Sequence, residues 1–473
     1  MKTQSVLLAA LASAPAALAH TVFTDFFVDG VPQKNQGDGV AIRMNPNAAK
    51  ASSPIASLDS DDMACNVGGT KGVSRVQPVK DGALLTFEIR SWPNDPTKER
   101  LDRGHKGPCA VYLKKVADAS TDKAAGDGWF KIFDHGYDAS TDRWCTDEII
   151  DNNGLLNVNL PKGLEGGDYL ARPEILALHA ANDNDPQFYT GCAQIFLESS
   201  GNLVPESTVS IPGYVKYGQP STDFDIYNTP GSKYVVPGPK VAKLTAGGTQ
   251  KASTTQADGL KPEGCIMENA NWCGKEVSSY NTEKGCWASA QECWDQSDVC
   301  FNTSPATGNA GCKIWQDKCK DINAQCTAMN FNGPPNKGKV LTPVKKSIDV
   351  GKIMATVGGG IVDAAPKTSS AKKETPAKAT PMPVADKVVS AAPKPTVDDQ
   401  YESPPIVEAS AAPPAPTKPS TLSKVPVSTI TVGPSSANGP APTEVSCPQG
   451  WKCVTVTDVE VVTTTVYVTA TAW

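Results

Sequence analysis

Short runs of alternating apolar and polar residues recur along the first half of the chain, and Gly, Pro, Asn and Asp separate them. Alternation with a period of two is typical of half-buried strands, and these four residue types favour turns. Many short strands with turns between them indicate an all-β sandwich, which we predict over residues 20–240. The segments predicted as strands are ALLTFEIRSW, CAVYLKKV, GWFKIFD, GLLNVNLP, GDYLARPEILAL and CAQIFLES.

The pattern changes in residues 263–330, which hold eight cysteines. Six of these form two sets of three, in which neighbours are seven residues apart. Seven residues make nearly two helical turns, so each set lies on one face of a helix. We predict a disulfide-stapled helical hairpin, the Cys-rich unit. Other connectivities remain open, but antiparallel geometry favours the pairs Cys286–Cys326, Cys293–Cys319 and Cys300–Cys312, which leaves Cys265–Cys273.

The Cys-rich unit has two interpretations. It is either a stapled spacer or a unit that binds a polysaccharide or another wall component. Its tryptophans either form a surface on which sugar rings stack or pack between the two helices. These residues are Trp272, Trp287, Trp294 and Trp315.

Three further segments differ in composition from both predicted units. Residues 241–262 are polar and predict a linker. Residues 331–446 are rich in Pro, Ala, Ser and Thr and bury too little apolar surface to fold, so we predict a disordered linker. Residues 447–473 alternate Val and Thr and predict a short β-prone tail, which is not apolar enough for a membrane helix. No function follows for this tail.

The first nineteen residues have the features of a secretory signal peptide. Lys2 provides a positive start, an apolar run follows, and Ala17-Leu18-Ala19 is a typical cleavage site. The chain has fourteen cysteines, an even number that favours disulfides in an oxidising compartment. We therefore expect a secreted, extracellular protein. In such a protein the sequon at Asn302 is a candidate glycosylation site.

The formal charge of the chain is −6 at pH 7. Mild acidity gives no reason to expect a nucleic acid or an anionic membrane surface as partner. An uncharged partner such as a polysaccharide is compatible with this charge.

His20 becomes the first residue if cleavage follows Ala19, and its backbone amine is then free. An α-amine has a pKa of about 8, so it can lose its proton and bind a metal near neutral pH. His20 then supplies two nitrogens, its amine and one ring nitrogen, and a second imidazole completes a set of three in one plane. Planar nitrogen coordination suits Cu(II), whereas zinc prefers a tetrahedral arrangement. We predict one copper ion; the alternative is that a histidine follows the cleavage site by chance.

Two other segments supply candidates for the rest of the site. His105 lies in the polar turn RGHKGPC and is either the second imidazole or a solvated surface histidine. The segment LHAANDNDPQFYTGC contributes His179, Gln187 and Tyr189, and the last two share one strand face. Tyr189 is a candidate axial ligand, and His179 and Gln187 are candidate hydrogen-bonding partners for bound oxygen. The alternative is a tyrosine packed in the sandwich core.

The segment from His20 to about Pro239 resembles the fungal lytic polysaccharide monooxygenases of auxiliary activity family nine, a cellulose-active family. The matching stretches follow the order of the family across nearly the whole segment. They are HTVF after ALA, DDMACN, GHKGPCAVYLKKV, DGWFKIFDHGY, DNNGLLNVNLPKGLEGGDYLARPEILALHAA, PQFYTGCAQI and YVVPGPKV.

The resemblance implies an immunoglobulin-like or fibronectin-like β-sandwich with one copper ion on a flat face. His20 and His105 match the nitrogen ligands, Tyr189 the axial tyrosine, and His179 and Gln187 the residues beside the bound oxygen. It also implies a disulfide between Cys65 and Cys192. Cys109 and Cys145 then remain in this segment, and we pair them with each other.

The reaction implied by the resemblance is oxidative cleavage of cellulose or a related β-1,4-glucan by a monomeric enzyme. An external donor, either a small reductant or a cellobiose dehydrogenase-like protein, supplies electrons. Dioxygen or hydrogen peroxide is the co-substrate, and carbon 1 or carbon 4 of a glucose unit is hydroxylated. Tyr214 and Tyr217 are candidates for stacking on a glucan ring, although the nearby Gln219-Pro220-Ser221 departs from the sequence of many members.

Two non-enzymatic alternatives remain at this stage. A copper-binding protein of related fold would serve copper uptake or redox sensing. A wall protein would bind polysaccharide through the sandwich and the Cys-rich unit without chemistry.

Overall fold

The computed structural model describes residues 20–32, 39–247, 254–344 and 347–354. The predicted signal peptide, the predicted tail and most of the predicted second linker lie outside these residues. Within them, none of the helices combines the length and the apolar character that a membrane crossing needs.

The described residues contain eighteen strands. In chain order they are β1 (Val22–Val28), β2 (Val31–Pro32), β3 (Ile42–Arg43), β4 (Gln77–Lys80), β5 (Leu84–Arg90), β6 (Cys109–Lys115), β7 (Gly126–His135), β8 (Tyr137–Asp138), β9 (Arg143–Trp144), β10 (Leu155–Asn159), β11 (Glu165–Ala177), β12 (Gln187–Thr190), β13 (Cys192–Ser200), β14 (Leu203–Pro205), β15 (Val209–Ile211), β16 (Leu244–Ala246), β17 (Cys265–Asn269) and β18 (Trp272–Lys275).

Helices are few. The four α-helices are α1 (Asp62–Cys65), α2 (Cys145–Asp151), α3 (Glu283–Asn302) and α4 (Ala310–Thr327). Two single turns of 3₁₀-helix lie at Ala181–Asp183 and Gly231–Lys233.

Two sheets form the sandwich, which confirms the predicted all-β fold. One sheet has the order β10-β5-β1-β2, and the larger has the order β15-β7-β6-β11-β13-β3, with β12 and β4 paired to β11 and β13. Buried aromatic and aliphatic side chains from both sheets form one core cluster, with Phe26, Phe87 and Ile195 among its most buried members. A second cluster of buried side chains includes Trp129 and Phe188.

The Cys-rich unit has the predicted pairs Cys286–Cys326, Cys293–Cys319 and Cys300–Cys312 between α3 and α4. Cys265 and Cys273 are also joined, and they lie on the β17–β18 hairpin, which the sequence analysis does not predict.

Both interpretations of the tryptophans describe part of the unit. Trp315 is fully buried between the helices, and Trp272 packs edge-to-face on it with ring centroids 5.6 Å apart. Trp287 is exposed on the outside of α3, and Trp294 is half-buried. Trp272 and Trp294 both pack against the core that contains Trp315, so packing accounts for three of these four side chains.

The Cys-rich unit packs directly on the sandwich. Arg75 of the sandwich and Glu268 of the unit form a buried ion pair at 2.7 Å, and Lys261 donates to the other carboxylate oxygen at 2.8 Å. Ala306, in the loop between α3 and α4, is buried in the main core cluster of the sandwich. Arg75, Lys261 and Glu268 together are called the seam below.

The predicted linkers are shorter than the sequence analysis expects. In the first, Leu244–Ala246 form β16, and the Gly259 carbonyl accepts from the Val76 N–H at 2.9 Å. In the second, residues 347–354 lie along the outer edge of the sandwich, where Met354 is buried in the core and its N–H donates to the Asn157 carbonyl. The contact depends on one buried Met and a few backbone hydrogen bonds. These are too few to change the overall composition of the segment, so composition alone does not predict it.

Candidate metal centre

Backbone pairing brings His105 and His179 together. Residues 106–108 extend β6 alongside the end of β11, with the Leu178 N–H donating to the Lys106 carbonyl at 2.9 Å. The approach requires Gly107, because a Cβ there would lie 1.8 Å from the Leu176 carbonyl oxygen. As a result, the rings of His105 and His179 have centroids only 4.8 Å apart.

Tyr189 reaches the same point from β12. Its partner in the sheet is Ile175 of β11, and its hydroxyl oxygen lies 3.2 Å from Nε2 of His105. The Tyr189 side chain is buried, while Gln187, two residues earlier on the same face, is half-buried. The Tyr189 hydroxyl donates to Oε1 of Gln187 at 2.8 Å. Nε2 of Gln187 in turn donates to the Asp185 carboxylate at 2.9 Å.

His20 lies immediately before β1 and is half-buried. The Thr21 hydroxyl donates to the Arg90 carbonyl at 3.2 Å, and Val22 pairs with Arg90 in the sheet. These contacts fix the chain beside His20. His20 is also close enough to His105 to affect its protonation.

His105 is held in its neutral form. Burial lowers the pKa of His105 to about 4, together with the nearby imidazoles of His179 and His20 and against the opposing effect of Asp102. A neutral imidazole has a free lone pair, which is the form that binds a metal.

Tyr189 is held as a phenol. Burial raises the pKa of Tyr189 above its ordinary value, and the charge of Asp185 raises it further. The hydroxyl therefore keeps its proton through the neutral range and acts as an uncharged oxygen donor.

Two disulfides flank these residues. Cys109, four residues after His105, is joined to Cys145 at the start of α2. Cys65 at the end of α1 is joined to Cys192, three residues after Tyr189. These are the two pairs given in the sequence analysis, and each anchors a strand end next to the cluster.

The chemistry of these side chains fits a copper ion. His105 is neutral, and its Nε2 faces the Tyr189 hydroxyl oxygen at 3.2 Å. In those same ranges, no three His, Cys, Asp or Glu side chains form a group that could hold a metal. The predicted set does not need three such groups, since it combines two imidazoles with a backbone amine. Imidazole and amine nitrogens together with a phenol oxygen are donors that would suit Cu(II).

Tyr214 is half-buried, and its stacking on a sugar ring stays a prediction. Its hydroxyl donates to Glu174, accepts from Arg172 at 3.2 Å, and its ring packs edge-on against Tyr112. The buried Arg172–Glu174 ion pair thus draws Tyr214 inward. Tyr217 is 40% exposed, and its hydroxyl accepts from the Leu58 N–H at 3.3 Å.

Three further observations concern the surface and the neighbours of the cluster. Asn302, in the predicted sequon, is exposed at the end of α3. Tyr227, which the sequence analysis misses, is 68% exposed, and its hydroxyl donates to the His179 carbonyl at 3.1 Å. Asp185 is also missed. Both residues lie in polar turns where periodicity carries no signal.

The model of Auxiliary Activity family 9 (formerly GH61) matches residues 20–234. AA9 family lytic polysaccharide monooxygenase C of Aspergillus tamarii is 51% identical over 347 residues, which cover 71% of this chain and 92% of that protein. AA9 family lytic polysaccharide monooxygenase H of Botryotinia fuckeliana is 46% identical over 344 residues, 70% of this chain and 78% of that protein. Both alignments are longer than the segment matched by the family model.

A solved structure titled CvAA9A aligns with a TM-score of 0.43 and 34% identity, over 47% of this chain and 97% of that one. The identity and coverage of the two relatives decide the assignment: the chain belongs to auxiliary activity family 9, the copper-dependent lytic polysaccharide monooxygenases, and is a monooxygenase.

Proposed function

We propose that the mature protein is a secreted monooxygenase that cleaves cellulose or a related β-1,4-glucan by hydroxylating carbon 1 or carbon 4 of a glucose unit. Family membership removes the two non-enzymatic alternatives. The observation that carries the proposal is the meeting of His105, His179, Gln187 and Tyr189 at one point, next to the residue that signal cleavage would free.

The amine and ring of His20, the ring of His105 and the hydroxyl of Tyr189 would hold the copper ion. When bound, copper supplies one-electron redox chemistry with dioxygen or hydrogen peroxide. The chain's own contribution is geometry and protonation. Burial keeps His105 neutral, and the bond from Tyr189 to Gln187 fixes the phenol.

His179 and Gln187 are proposed to act on the co-substrate. The His179 imidazole lies against the ring of His105 and is half-buried, so it can hold or deliver a proton beside the metal ligand. Gln187 has one amide hydrogen engaged by Asp185, which leaves the second for a bound oxygen atom.

Tyr217 and Tyr227 are proposed as sugar contacts. Both are exposed, and the bond from Tyr227 to the His179 carbonyl fixes its ring near the proposed site. Aromatic faces suit the apolar faces of pyranose rings. Tyr214 remains a third candidate, with a half-buried ring and a hydroxyl that donates to Glu174.

Product analysis tests the proposal. The copper-loaded mature chain, given a small reductant, is incubated with cellulose, with xyloglucan and with chitin. We expect cello-oligosaccharides oxidised at one end, and the position of oxidation separates carbon 1 from carbon 4. His105→Ala is the matched control and should abolish all oxidised products. Only hydrolytic products, or oxidised products from chitin alone, would contradict the proposal.

The electron donor and the oligomeric state are proposed separately. A small reductant or a cellobiose dehydrogenase-like protein should each support product formation, and sedimentation should show a monomer. Failure with both donors, or a stable dimer, would contradict these two statements.

A further inference from the structure

Asp185 ends a chain of hydrogen bonds that begins at His105. Nε2 of His105 lies 3.2 Å from the Tyr189 oxygen, the Tyr189 hydroxyl donates to Oε1 of Gln187, and Nε2 of Gln187 donates to Oδ2 of Asp185. Asp185 is thus three contacts away from His105. Neither periodicity nor the family resemblance assigns it a role.

The turn before β12 holds Asp185 in place. A single 3₁₀ turn ends at Asp183, and the next residue, Asn184, adopts a left-handed conformation with φ of 63°. The Asp185 N–H then donates to the Ala180 carbonyl at 3.1 Å, and Pro186 is buried with its φ fixed by its ring. The main chain of Asp185 is therefore fixed by its neighbours on both sides, although its side chain is exposed to solvent.

An ionised carboxylate selects the orientation of the Gln187 amide. It accepts hydrogen bonds only, so it attracts the NH₂ end of the amide and repels the carbonyl end. With the NH₂ group toward Asp185, the amide oxygen of Gln187 faces Tyr189 and accepts a hydrogen bond from its hydroxyl. In the flipped orientation the NH₂ group would donate to the Tyr189 oxygen and occupy a lone pair.

We infer that Asp185 is a positioning residue: its carboxylate fixes the Gln187 amide so that the Tyr189 hydroxyl donates to Gln187 and its oxygen lone pairs face His105. This inference rests on the proposed function, in which Tyr189 and His105 face one copper ion. It deepens that proposal by naming the residue that sets the orientation of the Tyr189 hydroxyl.

A second consequence follows from the charge. A carboxylate near the metal stabilises Cu(II) relative to Cu(I), because Cu(II) has the larger positive charge. Removing the charge should therefore favour the reduced ion.

The test compares three variants of the mature full chain with the wild type. Asp185→Ala removes both the acceptor and the charge, and Asp185→Asn keeps an oxygen acceptor without the charge. Asp183→Asn is the matched control, since Asp183 is exposed in the same turn and its side chain does not bond to Gln187. Electron paramagnetic resonance of Cu(II), the Cu(II)/Cu(I) equilibrium and the Gln187 side-chain amide resonance of the copper-free chain are measured.

We expect Asp185→Ala to shift the Gln187 amide resonance and the axial parameters of the Cu(II) spectrum, and Asp185→Asn to shift them less. Both should move the reduction equilibrium toward Cu(I) by roughly threefold, the scale for one screened charge. Asp183→Asn should change neither spectrum. Equal spectra and equal equilibria for Asp185→Ala and Asp183→Asn would overturn the inference.

The proposed copper site and the proposed role of Asp185 can be contradicted independently of each other. A wild-type spectrum without nitrogen ligands would overturn the proposed function. The amide resonance of the copper-free chain would still decide whether Asp185 orients Gln187.

Discussion

The sandwich and the Cys-rich unit hold their shapes by different means. Two sheets in the sandwich bury large aromatic and aliphatic side chains, and its two disulfides lie at strand ends beside the proposed site. In the Cys-rich unit, four disulfides join elements that have only one small core cluster of their own. A small unit cannot bury enough apolar surface to fold alone, so covalent links replace part of the core.

The Cys-rich unit also packs tightly against the sandwich. Glu268 is fully buried at the seam, and Ala306 lies in the core of the sandwich. A permanent intramolecular interface of this kind makes the stability of each region depend on the other. The following changes measure how far that dependence goes.

The largest effect is expected from Glu268→Gln. It removes the partner of Arg75 and of Lys261 and leaves buried positive charge uncompensated, which costs about 3–5 kcal/mol in the free energy of unfolding. Chemical denaturation should show this loss, with the Cys-rich unit unfolding before the sandwich. Glu198→Gln is the control, because its ion pair with Lys80 is exposed and should be worth less than about 1 kcal/mol. Equal losses for the two variants would show that the seam is not a stabilising contact.

Next comes removal of one disulfide of the Cys-rich unit, Cys293→Ser with Cys319→Ser. The two residues are 26 apart in sequence, so loss of the link should destabilise the unit by about 3 kcal/mol. Near-ultraviolet circular dichroism should report loss of the fixed environment of Trp315, whose indole N–H donates to the Cys293 carbonyl. An unchanged tryptophan signal and an unchanged midpoint would mean that packing alone holds the unit.

A smaller effect, confined to the sandwich, concerns pH. The pKa of His105 is lowered to about 4 in the folded chain, whereas the ordinary pKa of a histidine is about 6.5. Between these two pH values the unfolded chain therefore binds more protons than the folded chain. The free energy of unfolding of the copper-free chain should therefore fall as pH drops through this window, by up to about 3 kcal/mol. Denaturation at pH 7 and pH 4.5 measures the slope. His105→Gln should reduce the slope, and an identical slope would rule out His105 as its source.

How much of this architecture can be read from the sequence depends on how far apart the contacting residues are. The cystine pairs of the helical hairpin follow from a spacing of seven, because helix geometry is local. The strands follow from alternation for the same reason. The pairing that brings His105 to His179 joins segments about seventy residues apart, and only resemblance pointed to it.

The contacts that the sequence does not reveal have the same origin. Tyr214 lies in a polar loop, and its hydroxyl is bound to Glu174 and Arg172, about forty residues earlier. Met354 lies in a segment whose composition predicts disorder, and one buried side chain holds it to the core. Asp185 acts through a turn whose geometry no periodicity encodes.

The measurement that tests the central claim most directly is electron paramagnetic resonance of the copper-loaded mature chain beside a form that keeps one extra residue before His20. If the free amine of His20 is a ligand, the mature chain gives an axial Cu(II) signal with three nitrogens, and the extended form loses it. If both forms give the same signal, the amine does not bind copper, and the proposed site is contradicted.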